Sequence, residues 1–145
     1  MLRGEYLHLS RSLAAMIATL GGRDAAIQRL DAFFRKEDGA WAVTKSGPLH
    51  AELDNEPSVA APWLYNFVGQ PWKTQETVRQ AMRQIWTNAP EGMPGNDDLG
   101  QMSSWYVWSA LGLYPLYPGR ADLVIGSPLF REASHDHWKA RLKLV

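Results

Sequence analysis

Apolar positions fall into helical periods over most of the chain and into short alternations only near its end. Leu13, Met16, Ile17 and Leu20 recur three and four apart, the spacing that lines one face of an α-helix. Ser10 can cap this helix, and Gly21-Gly22 can end it, because glycine takes the left-handed C-terminal turn without strain. The first 22 residues carry a basic residue and an apolar run, as a leader peptide does. Their helical spacing, with Arg11 and Ser12 beside it, instead predicts an amphipathic helix.

A second helix is predicted from Asp24 to Glu37, with Ile27, Leu30, Phe33 and Phe34 on one face. Trp63, Leu64 and Phe67 mark a short helix that ends near Gly69. Thr74 is read as the cap of the next, where Gln75 and Glu76 complement the positive end of the dipole. Its apolar stripe is Val78, Met82, Ile85 and Trp86. The last helix, Leu99 to Leu111, differs in kind. Met102, Trp105, Tyr106, Val107 and Trp108 leave it little polar face, which predicts burial nearly all round. Amphipathic helices leading to a buried one suit an all-helical, layered architecture of inner and outer helices. Beyond Pro118, Asp122 to Ile125 and Arg141 to Leu144 are short strand candidates.

Composition narrows the function classes. The 145 residues are 46% hydrophobic and 21% charged, as in a globular domain of modest core. Fifteen Lys and Arg balance fifteen Asp and Glu, so nothing marks a nucleic-acid groove or an anionic membrane as partner. No apolar run approaches the length of a membrane span. The absence of cysteine excludes disulfides and thiolate metal sites. Seven tryptophans admit two readings, an aromatic-rich core or a cleft in which indoles stack on the apolar faces of sugars.

Two segments concentrate hard oxygen donors in turn-rich loops ahead of helices. They are Glu52-Leu53-Asp54-Asn55-Glu56-Pro57 and Gly95-Asn96-Asp97-Asp98-Leu99-Gly100-Gln101. The first closes the long, Gly- and Pro-punctuated stretch from Asp38 to Pro57, and long loops with clustered polar groups are frequently functional. Oxygen donors of this kind suit a hard cation such as calcium. Carboxylates beside apolar walls also suit acid–base work. Helix capping and plain solvation are the bland alternatives for both loops. The four histidines, His8, His50, His135 and His137, have no zinc spacing, and neither a nucleophile elbow nor a phosphate loop occurs.

The order of several motifs resembles glycoside hydrolase family 92. Asn55-Glu56-Pro57-Ser58 is followed by Pro62-Trp63-Leu64-Tyr65-Asn66-Phe67-Val68-Gly69 and by Pro71-Trp72-Lys73-Thr74-Gln75. The run from Gly92 to Pro115, which holds the second acidic loop, and then Gly126-Ser127-Pro128-Leu129-Phe130 complete the match. The resemblance implies an exo-acting, inverting, calcium-dependent α-mannosidase, often α-1,2-specific, exported by its hosts and acting on mannose-containing glycans. Its fold would be mainly α, an incomplete (α/α)6 toroid segment over residues 1–118, with short β-strands over 119–145 that begin a C-terminal β region.

By the same resemblance Asp98 is the general base and Asp97 supports it. Relatives with a Gly-Asp-Glu-Asp loop carry an acid where this chain has Asn96. Asn55, Glu56 and Asp98 would ligate Ca2+, while Glu56, Trp63 and Asn96 would touch the sugar. The family's general acid lies in a motif resembling Glu-Gly-Asn-x-Trp-Gln-Tyr, upstream of the segment represented by Leu7 to Gly22. The expectation is therefore a C-terminal segment that lacks the acid and needs the N-terminal part of the enzyme. The alternatives are a non-catalytic, calcium-dependent mannose-binding module and an inactive remnant.

Overall fold

The computed structural model describes residues 12–43, 51–54, 56–117, 119–133 and 142–143. Helix α1 spans 12–19 and turns at Gly21, where Gly22 N–H reaches back to the Ile17 carbonyl (2.9 Å). Its expected cap, Ser10, lies outside the described residues, as do all four histidines. Helix α2 is Arg23–Phe34. It ends three residues earlier than its apolar period suggests, because Arg35 pairs with Trp41 in an isolated bridge and Ala42 N–H bonds the Phe34 carbonyl (2.9 Å). A backbone turn at residues 35–41 thus takes over the donors that another helical turn would have used.

Helix α3, Glu56–Val59, runs into a 3-10 helix, Ala61–Val68. Pro62 opens the latter and left-handed Gly69 (φ 72°) closes it, a helix stop that glycine meets at no steric cost. Helix α4, Pro71–Ile85, begins on a proline in its first turn, a position where the missing N–H costs nothing. Thr74 therefore sits inside the helix rather than capping it. It is fully buried, and its hydroxyl has no hydrogen-bond partner among the described residues. The buried face, Thr74, Thr77, Val78, Ala81, Met82 and Ile85, follows the expected stripe at three- and four-residue spacing.

Helix α5, Gln101–Leu111, ends at left-handed Gly112 (φ 72°). It is buried on one face only, through Met102, Trp105, Ser109 and Ala110. Val107 is 57% exposed and Leu99, expected in the helix, stands outside it fully exposed. Burial all round is not reached: Tyr106 and Trp108 are partly buried against the core, while Val107 faces outward. Strands β1 (Leu113–Tyr114) and β2 (Val124–Ile125) pair antiparallel, Leu113 with Ile125 and Tyr114 with Val124. This hairpin joins residues on either side of position 118. Strands β3 (Glu132–Ala133) and β4 (Leu142–Lys143) form a second two-stranded ribbon. The strand candidates of the sequence are thus present but only two residues long.

One core unites the helices and the β1–β2 hairpin. Trp63, 0% exposed, stacks on Tyr114 with ring centroids 4.9 Å apart, and a Cβ on Gly126 would lie only 2.9 Å from its ring. Arg79 of α4 donates to the carbonyl oxygens of Ser127 and Pro128, anchoring the segment after β2. On the other side, Lys73 Nζ lies 2.9 and 2.7 Å from the two Asp31 carboxylate oxygens, and Tyr65 donates its hydroxyl to Asp31 Oδ1 at 2.9 Å. That knot ties α2, the 3-10 helix and α4 together. Burial, then the acceptor Asp31, hold the Tyr65 hydroxyl protonated far above its usual range. No helix among the described residues is long and apolar enough to cross a membrane.

Candidate active site

The two acidic loops lie far apart in sequence, yet the fold sets them side by side. A Cβ on Gly95 would stand 2.5 Å from the Asp54 carbonyl oxygen, so only glycine lets the second loop approach the first this closely. Behind the loops, buried Trp105 donates its indole N–H to the Val59 carbonyl at 2.7 Å. Trp105 also stacks on Trp86, with centroids 4.8 Å apart and planes within 12°. Leu53 and Val59 are buried beside them. The first loop is therefore fixed to α5, the same helix that carries the second.

The second loop reaches α5 through three consecutive left-handed residues, Asp98 (φ 50°), Leu99 (φ 58°) and Gly100 (φ 96°). For the two non-glycine residues this backbone costs about 1–3 kcal/mol each. The turn is held by backbone bonds, the Gly100 and Met102 N–H groups both reaching the Asp97 carbonyl at 3.2 Å. It is held also by the Asp97 side chain. Asp97 Oδ1 accepts from the Ser103 N–H (2.9 Å) and from the Ser103 hydroxyl (2.7 Å), satisfying a first-turn donor that would otherwise lack a partner. The Ser103 hydroxyl, then its N–H, hold the Asp97 carboxyl below the ordinary carboxylate value of 3.8.

This clamp gives a pH test. A carboxyl whose folded value is depressed adds stability above its unfolded value and loses it as the pH falls through the folded one. Ser103→Ala removes the main cause of the depression. In calcium-free buffer, the wild-type advantage in melting temperature over Ser103→Ala is expected to be full at neutral pH and to shrink below about pH 3.8. An equal gap at both ends would remove the clamp from the account.

The candidate residues separate accordingly. Asp97 is spent on capping α5. Asp98 makes no side-chain hydrogen bond among the described residues and is partly exposed, and Asn96 is exposed beside it. Asn55 lies outside the described residues; Glu56 opens α3, and its side chain lies outside them too. Trp63, expected at the sugar, lies in the core of this structure, 0% exposed and stacked on Tyr114. Ser103 was missed by the sequence reading, although a serine three positions into a helix behind an acidic loop is a recognisable capping partner.

No group of three carboxylate or histidine side chains close enough to hold a metal occurs among the described residues. The donor chemistry of the paired loops nevertheless fits a hard cation. The groups at hand are carboxylate and amide oxygens, the class that calcium takes, and neither oxygen of Asp98 is hydrogen-bonded among the described residues.

Residues 7–143 match the model of the glycosyl hydrolase family 92 catalytic domain. The chain belongs to this family. Among solved structures it is similar to a family 92 inverting mannosidase of Bacteroides thetaiotaomicron, with TM-score 0.70 and 34% identity over 83% of this chain and 18% of that one. A family 92 α-mannosidase of the same bacterium gives TM-score 0.64 and 34% identity over 77% of this chain and 14% of that one. That enzyme in complex with mannoimidazole gives TM-score 0.65. A curated relative, an uncharacterized secreted glycosidase of Arthroderma benhamiae, is 31% identical over 125 residues, 86% of this chain. The chain spans only 14% of that relative's length. The matched residues include both acidic loops, and the helix-rich fold is consistent with a family 92 segment.

Proposed function

We propose that this chain forms one wall of the active site of an inverting, calcium-dependent α-mannosidase that cleaves terminal α-mannosyl, chiefly α-1,2, linkages of glycans. Its helices would then be part of an (α/α)6 toroid. The observation that carries the reading is the meeting of the two oxygen-rich loops at Asp54 and Gly95, with Asp98 making no side-chain hydrogen bond among the described residues. Family membership supports it, as does the mannoimidazole bound by a family relative.

In this reading Asp98 takes the proton of the attacking water on the face of the sugar opposite the leaving oxygen. An inverting enzyme keeps its acid about 6.5–9.5 Å from the base, so that this water fits between them. Asp97 does not exchange protons. It fixes the turn from which Asp98 projects, because its own carboxylate is held ionised on the first turn of α5. Asn96 and Glu56 bind sugar hydroxyls. Asn55, Glu56 and Asp98 would hold calcium, which when bound supplies fixed positive charge at those hydroxyls.

Calorimetric titration with calcium, then with mannose and α-1,2-mannobiose, tests the proposal, with mannose release assayed in parallel. Saturable sugar binding that appears only with calcium and vanishes on chelation is the expected result. Sugar binding indifferent to chelation would sink the calcium assignment; no binding of either sugar would sink the active-site reading of these loops.

A further inference from the structure

The start of α4 reads Gln70-Pro71-Trp72-Lys73-Thr74-Gln75-Glu76, one aromatic residue among polar ones. Thr74 turns into the core and Lys73 onto Asp31. Trp72 does the opposite and leaves 57% of its surface to solvent, whereas the other described tryptophans are buried or half-buried. Glu76 stands one turn further on. Residues four apart share a helix face, with Cβ atoms about 5–6 Å from each other. The Glu76 side chain is 54% exposed, and its Oε2 lies 3.0 Å from Arg35 Nη2. Arg35 is itself fixed, with its guanidinium 4.1 Å over the Trp41 ring and Nη1 donating to the Gly39 carbonyl at 3.2 Å. An open indole thus adjoins a carboxylate and guanidinium that are already set in place.

None of this is needed for the fold. A solvent-exposed ion pair contributes little to stability, and an exposed indole buries nothing. The neighbours Gln70, Lys73 and Gln75 are polar, so Trp72 does not belong to the contiguous apolar patch that marks a broad docking surface. A pyranose suits the group better. Its C–H face stacks on an aromatic ring, and its adjacent hydroxyls bond to a carboxylate and a guanidinium. The place is also remote from the acidic loops. Trp72 and Trp86 bound α4, about 20 Å apart at the ordinary helical rise, and it is Trp86 that stacks on Trp105 behind those loops.

We propose that Trp72, Glu76 and Arg35 form a second, non-catalytic carbohydrate site on the surface of α4, which holds one part of a glycan while a terminus is cleaved at the Asp98 loop. It works without calcium, because it shares no residue with the acidic loops. The choice of a mannose-containing ligand rests on the mannosidase reading; the platform itself does not. One ring on an open surface holds a single hexose weakly, so mannose and mannobiose do not fill this site in a calorimetric titration. Grip comes from a polymer that offers many equivalent residues.

The test is electrophoresis of the full-length enzyme through native gels with and without mannan, in chelator so that calcium-dependent binding is silent. The expected result is that mannan retards wild type and Asp98→Asn alike. Trp72→Ala and Glu76→Ala are each expected to weaken that retention roughly threefold to tenfold, the scale of one aromatic or polar contact, while Trp72→Phe, which keeps a ring, retains part of it. Trp72→Ala should melt as wild type does and release mannose from α-1,2-mannobiose at the wild-type rate. Wild type that mannan does not retard, or retention that Trp72→Ala leaves intact, overturns the site. Retention lost in Asp98→Asn also overturns it, by placing the binding at the acidic loops. An enzyme that releases mannose but is not retarded loses the surface site and keeps the mannosidase reading. One that is retarded through Trp72 yet releases no mannose with calcium keeps the surface site and loses the catalytic reading.

Discussion

In the full-length enzyme that completes this wall of the site, Asp98→Asn is expected to abolish nearly all mannose release while leaving the fold intact. General acid–base groups contribute about 10²–10⁴-fold to rate, and the amide cannot accept the proton of the attacking water. The fold should survive for two reasons. Asp98 makes no side-chain hydrogen bond among the described residues, so none is lost. It also sits at φ 50°, and asparagine tolerates left-handed backbone better than other L-residues. Alanine would mix a loss of chemistry with added backbone strain, which makes asparagine the cleaner probe.

Asp97→Asn is the necessary companion. It should weaken the cap on α5 and lower the melting temperature, while costing far less rate than Asp98→Asn. The measurement is mannose released from α-1,2-mannobiose by the full-length enzyme at saturating calcium, with a melting curve for each variant. The reverse order, a silent Asp98→Asn beside a dead but stable Asp97→Asn, would move the base to Asp97 and make the Ser103 clamp a device for tuning it.

The second large effect concerns Trp105. This side chain is 1% exposed, stacks on Trp86 and donates to the Val59 carbonyl, so it ties α3, into which the first acidic loop runs, to α5. Trp105→Ala is expected to destabilise the chain by about 3–5 kcal/mol, the range for deleting a large buried aromatic. Trp105→Phe keeps most of the volume but leaves the Val59 carbonyl without its donor, an expected loss of about 1–3 kcal/mol. Denaturant melts of the two variants check the order. A Trp105→Phe variant as stable as wild type would mean that packing alone, and not the indole bond, holds the first loop to α5.

Several elements were legible in the sequence. The stripe Val78, Met82 and Ile85 located α4, and Gly21, Gly69 and Gly112 marked helix ends, because a left-handed stop is a local property that glycine alone meets cheaply. The short strands near positions 124 and 142 were likewise visible as brief apolar alternations. Misplacements arose where a neighbour settled the outcome. Thr74 has the chemistry of a cap, yet Pro71 had already begun the helix and packing drew Thr74 inward. Leu99 continues the apolar period of α5, but the left-handed turn at 98–100 detaches it.

The sequence by itself determined where helices run, where they stop, and that two loops are rich in hard oxygen donors. Periodicity and capping act within a few residues, so they are written locally. Which loops meet, which tryptophan is core and which carboxylate caps a helix were decided only by tertiary structure. Asp54 meets Gly95 across some forty residues of chain, a contact that exists because the hydrophobic core draws α3 onto α5. Trp63 and Trp86 are alike in sequence character, yet one is sealed against Tyr114 and the other lines a cavity. Asp97 and Asp98 are adjacent and identical, and only the fold of the turn points one at Ser103 and leaves the other without a partner among the described residues.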